Sequence, residues 1–149
     1  MTKQERCKKA LDCHAGSLNC AQSVLSAFSD RIGLSDDQCY ALCSGFGGGV
    51  RYGGLCGAVS AAVMVLGLLY PHTPKNGLQG KARSMKLTQE FQRRFRERFG
   101  ELDCRELLRL HDLHGTAQTE ALGVTAHCDI LIVSATELLC DMLEELEKE

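Results

Sequence analysis

The 149-residue sequence predicts an all-α fold, a compact single-domain bundle of about six or seven helices around a central apolar one. Three observations predict it. Apolar residues recur at helical spacing along most of the chain, and no stretch shows the alternation and hairpin turns of a half-buried strand. Helix-start patterns recur ahead of apolar runs: a short polar side chain, then Glu or Gln three residues later. One run, Leu55–Tyr70, carries no charge on any face, as a helix surrounded by other helices does.

The elements follow in order. A first, mostly polar helix is expected over about Thr2–His14, stopped at Ala15-Gly16. A second is expected over about Cys20–Arg31, with Cys20, Val24, Ala27 and Phe28 on one face and Gly33 as its stop. Ser35 caps a third over Asp36–Ser44. A glycine-rich loop follows, in which seven of the 15 glycines lie between Gly45 and Gly57. The uncharged fourth helix starts at Leu55 or Cys56 and ends at Tyr70, before Pro71 and Pro74. The fifth, about Leu78–Phe99, repeats Phe91, Phe95 and Phe99 along its core edge. Its seven Lys and Arg between Lys81 and Arg98 read as a solvated face. A short helix is expected over Cys104–Leu110, then an irregular stretch or weak turn to Gly123. The last, about Ala126–Leu146, aligns Cys128, Ile132, Ala135, Leu139 and Met142 and frays into an acidic tail. No linker or repeat divides residues 1–149.

Composition narrows the function. Hydrophobic residues make up 44%, charged residues 24%, and the net charge is −2, so no basic excess points to nucleic acid. The uncharged helix would reach only ~24 Å at 1.5 Å per residue, short of a membrane span. The polar N-terminus lacks the apolar core of a signal peptide, and a cytoplasmic location is expected. Nine cysteines are an odd count, which disfavours a disulfide scaffold and favours a chain that uses thiols. There is no Cys-x-x-Cys pair, hence neither a zinc ribbon nor a thioredoxin-type motif.

Four of those cysteines fall in the first turn of four different helices. Asn19-Cys20-Ala21-Gln22 and Asp103-Cys104-Arg105-Glu106 both fit the capping box. Cys128 follows Thr125 as a cap, and Cys56 opens the fourth helix. A helix start favours a thiolate through free N–H groups and the helix dipole. Cys7, Cys13, Cys39, Cys43 and Cys140 read as small core residues. The Cys39/Cys43 pair and His111-Asp112-Leu113-His114 have ligand-like spacing but no further donors nearby in sequence. The glycine loop has three readings. Gly47, Gly48, Gly49, Gly54 and Gly57, with Arg51, can present N–H groups and charge to an anionic cofactor. They can allow a tight helix crossing, or they can open an approach to Cys56. The loop matches no P-loop and follows no strand.

Asn19-Cys20-Ala21-Gln22-Ser23-Val24-Leu25, Gly45-Phe46-Gly47-Gly48-Gly49, Gly54-Leu55-Cys56-Gly57-Ala58-Val59-Ser60-Ala61, Met64-Val65-Leu66-Gly67, Cys104-Arg105-Glu106-Leu107-Leu108 and Cys128 together resemble the C_GCAxxG_C_C family of redox-active proteins. The resemblance spans about Leu18–Leu139. The family's four shared cysteines correspond to Cys20, Cys56, Cys104 and Cys128, the same four that the helix starts select. One departure is Ala61, where the family has Gly. The resemblance implies redox activity without a substrate. The leading expectation is a thiol-based redox protein, with thiol/disulfide oxidoreductase-like activity within its scope. In it Cys56 is the low-pKa reactive thiol, and Cys20, Cys104 and Cys128 are resolving partners. An alternative makes the same four thiolates ligands of an iron–sulfur cluster or zinc. A second alternative is a helical interaction or transport-accessory module with core cysteines. The partner is a redox protein or a small molecule, and apolar helix edges are compatible with a homodimer.

Overall fold

Thr2 opens the chain with a complete capping box to Glu5, and α1 runs Lys3–Ala15. The computed structural model describes residues 1–149. The chain folds into helices without a strand; Leu55 and Asp103 form a single isolated bridge. Although α1 is mostly polar, it buries Arg6, Cys7 and Ala10. The Arg6 guanidinium donates to the Ala27 carbonyl at 2.9 Å and to both Asp30 carboxylate oxygens at 2.6 and 3.0 Å. It also lies over the Phe28 ring, 5.0 Å from its centroid.

That guanidinium sits at the first departure from expectation. The single helix read over Cys20–Arg31 is two: α2, Cys20–Ser26, and α3, Ser29–Ile32. With Ala27 oxygen taken by Arg6, the amides of Arg31 and Ile32 both turn to Phe28 oxygen, and the chain kinks at Phe28. Gly33, in the left-handed region at φ 72°, ends α3. Ser35 makes the expected cap, with Gln38 returning the bond, and α4 runs Asp36–Leu42.

α5, Gly57–Leu69, is the uncharged helix, and Cys56 is its N-cap. It packs against α2, against α6 (Gly77–Phe99) and against α9 (His127–Glu147). Phe91, Phe95 and Phe99 form the core edge of α6, with Phe95 and Phe99 ring centroids 4.9 Å apart. Its basic face is partly neutralised, Arg93 by Glu90 and Glu97, and Arg94 by Glu145 of α9. α9 shares the centre with α5, because it also packs on α1, α2, α6 and α8 (Ala117–Ala121). It therefore buries far more than its expected stripe, including Leu131, Val133, Ser134 and Thr136. α8 lies inside the stretch read as irregular; its start is held by Glu137 of α9, whose carboxylate accepts from the Gln118 amide at 2.9 Å.

Two expected caps are absent. α7 covers only Cys104–Leu107, and Asp103 makes no side-chain cap. The Cys104 amide instead donates to Gly54 oxygen at 2.6 Å, while the Cys56 amide donates to Leu102 oxygen at 2.9 Å. Thr125 does not cap α9; Ala126 stands at that position, with no side-chain bond. No helix is long and apolar enough to cross a membrane.

Candidate functional site

The paired bonds Cys56–Leu102 and Cys104–Gly54 hold the starts of α5 and α7 side by side. The starts of α2 and α9 complete the wall of a cavity of about 380 Å³. Cys20, Cys56, Cys104 and Cys128 all line it, with His14, Asn19, Gln22 and Arg51 on the polar side and Leu107, Leu108 and Leu131 on the apolar side. The volume is that of a small-molecule site. Cys56 is buried, whereas Cys20, Cys104 and Cys128 are half-buried, and none of the nine cysteines is in a disulfide.

Cys20 is the first residue of α2, behind a complete capping box between Asn19 and Gln22 (2.8 and 2.9 Å). Its sulfur rests against Gly57: a Cβ there would come within 2.5 Å of Cys20 Sγ and 2.7 Å of Phe46 oxygen. This contact sets α2 on the first turn of α5. Cys20 is also the electrostatic neighbour shared by the others. Burial first, and then the charge of Cys20, pushes the thiols of Cys56, Cys104 and Cys128 up, with Cys56 reaching about 12.

Burial thus works against the lowered pKa that the helix-start position of Cys56 suggests. The Ala58 and Val59 amides do favour its thiolate, but desolvation outweighs them. The metal reading meets a similar obstacle. No three His, Cys, Asp or Glu side chains are grouped so as to hold an ion. As folded, the four thiols do not form the ligand set that zinc or an iron–sulfur cluster requires. Cys39/Cys43 and His111/His114 likewise form no such group. Cys43 turns its sulfur to Met64 at 3.8 Å, and Cys7 faces Val133 oxygen at 3.7 Å.

The glycine loop divides between packing and lining. Gly47 admits Asn19, whose Cβ would be 2.7 Å from a Cβ there, and Gly49 lies directly on the Gly54 backbone. Gly48 and Arg51 line the cavity. Between them the chain makes a left-handed helical turn. Gly48, Gly49, Val50 and Arg51 have φ of 61°, 63°, 57° and 57°. Two non-glycine residues in this region, one of them β-branched, store about 1–2 kcal/mol each.

Sequence reasoning missed one further element. His14, in the last turn of α1, bonds through Nδ1 to the Asp129 carboxylate of α9 at 2.6 Å. Only the α1–α9 packing brings them together, 115 residues apart in the chain. The capping pattern around Asn19 was the sole local signal on this side of the cavity.

The model of a family described as "Putative redox-active protein (C_GCAxxG_C_C)" matches residues 18–142. The chain belongs to the C_GCAxxG_C_C family. Cys20, Cys56, Cys104 and Cys128, the four that the sequence resemblance matches to the cysteines of the family's name, all lie on the cavity wall. The departure at Ala61 falls in the buried core of α5 and not on that wall. No curated protein and no solved structure is significantly similar to this family member.

Proposed function

We propose that the protein is a cytoplasmic thiol redox protein that exchanges disulfides inside the cavity. Cys20 is the attacking thiol, and Cys56, Cys104 and Cys128 supply the resolving one. The observation that carries this reading is the meeting of four cysteines from four helix starts on one wall. Cys20 takes the role that dipole reasoning assigns to Cys56 for two reasons. It is half-buried where Cys56 is buried, and it is the neighbour common to the other three.

The chemistry is thiol–disulfide exchange. The Cys20 thiolate attacks one sulfur of a disulfide, that S–S bond breaks, and one substrate thiolate leaves with the electron pair. A second cavity thiolate then attacks the Cys20 sulfur of the mixed disulfide and expels the other substrate thiolate. The protein gains one disulfide, the substrate gains two electrons, and the two protein protons pass to the departing thiolates. His14 is the only wall side chain besides the thiols that can take up a proton. Asp129 holds its Nδ1, which leaves Nε2 for that transfer. Nine free thiols suit a reducing compartment.

Redox titration with mass tagging tests the reading. The expected result is one disulfide, confined to Cys20, Cys56, Cys104 and Cys128, with Cys7, Cys39, Cys43 and Cys140 unpaired. C20S abolishes it, and H14Q slows its formation at least tenfold at neutral pH. Oxidation that proceeds equally well in C20S would falsify the assignment.

A further inference from the structure

The cavity wall carries no carboxylate. Asp129 stands behind it and is committed to His14. Arg51 is an exposed residue without an ion-pair or hydrogen-bond partner, as other exposed cations of the chain are, but it alone of the cations lines this cavity. Its side chain lies back over Gly48: a Cβ there would sit 3.8 Å from Arg51 Cδ and 3.9 Å from Nη1. The cation is therefore kept at the cavity by the strained left-handed turn. The turn is closed by the Gly54 amide on Gly49 oxygen at 3.1 Å and clamped by the Arg105 bond to Tyr52 oxygen. Strain retained in a backbone that lines a cavity is a mark of function. The two long helices that begin at this wall, α5 and α9, add the positive ends of their dipoles, and α9 begins without a capping side chain.

We propose that the substrate is a small anionic disulfide, a compound whose carboxylate or equivalent anion is held by Arg51 while its S–S bond meets Cys20. This deepens the redox reading above and rests on it. The apolar side of the wall, Leu107, Leu108 and Leu131, takes the uncharged body of the molecule. The exchange balances as written above: one substrate S–S bond is reduced to two thiols, and one protein S–S bond forms.

Two chromogenic disulfides decide it, the dianionic 5,5′-dithiobis(2-nitrobenzoate) and the uncharged 4,4′-dithiodipyridine. Both are followed in a C13S background, which removes the half-buried thiol outside the cavity. The ratio of the anionic to the neutral rate is expected to drop roughly fivefold in R51Q, to persist in R51K, and to shrink with added salt. The rate with the neutral reagent stays unchanged in R51Q. Cavity thiols that react with both reagents at a ratio indifferent to R51Q overturn the anion subsite alone. Cavity thiols inert to both reagents overturn the redox reading and this inference with it.

Discussion

Cys56 and Cys20 share a local setting, the start of a helix, yet the fold treats them differently. Burial raises the Cys56 thiol to about 12 from an ordinary value of 9.0, and the charge of Cys20 adds to it. A thiol raised on folding is held more tightly as the protonated form in the native state. Its contribution to stability is thus complete below pH 9 and is lost as pH climbs toward 12. Cys43, at about 11, and Cys140, at about 12, act in the same sense. Chemical denaturation midpoints are therefore expected to fall steadily above pH 9, and C56A is expected to flatten that limb. A limb unchanged in C56A would show that this thiol is not desolvated. In the native protein at pH 7.5, iodoacetamide should label Cys20 well before Cys56. The helix-start positions of both residues were legible in the sequence. The sign of the Cys56 shift was not, because it comes from burial, which only the fold decides.

Among the elements, the left-handed turn carries the sharpest test. Gly49 has φ 63° and touches the Gly54 backbone, whereas Gly45 has ordinary φ and open space where a Cβ would stand. G49A is expected to cost about 2–3 kcal/mol or more, and G45A to stay within about 0.5 kcal/mol. Thermal melts of the pair check this, and equal melting temperatures would remove the close approach. The glycine clustering announced special backbone, but it did not separate these two. The α2/α3 break was hidden for a related reason. Within Cys20–Arg31 the Ser23 and Ser26 hydroxyls bond back to the Asn19 and Ser23 carbonyls, and at the break the Ala27 carbonyl is held by Arg6, from another helix. Asp103 makes no capping box and instead stands opposite Leu55, between the Cys56–Leu102 and Cys104–Gly54 bonds.

For the whole molecule, Arg6 ties α1 to the α2–α3 corner. R6A leaves the buried Ala27 carbonyl unpartnered and frees Asp30. A loss of about 2–3 kcal/mol is expected, with R6K restoring only part of it because a lysine cannot span the forked geometry. The Asp30 carboxyl, held below its ordinary value by the Arg6 hydrogen bond, adds a pH signature. Its contribution is present above pH 3.8 and disappears as pH falls through the lowered native value. Urea melts of both variants between pH 2 and 7 measure it; an R6A protein as stable as the wild type would break the argument. α5 was recognisable as the central helix from its lack of charge. That α9 shares the centre was masked by its acidic tail and by Ser134, Thr136 and Glu137, polar residues whose partners are Thr116 just before α8, the preceding turn of α9, and Gln118 of α8.

By itself the sequence determined the all-α class, most helix extents, and the placing of Cys20, Cys56, Cys104 and Cys128 at helix starts. Those features depend on capping and periodicity, which act over a few residues of chain. Only the tertiary structure decided that the four starts meet on one cavity. It alone joined His14 to Asp129, held Arg51 unpaired on a left-handed turn, and withdrew Cys56 while leaving Cys20 half-open. Each of these rests on desolvation or contact between segments tens of residues apart, and no local pattern encodes which surfaces will bury one another.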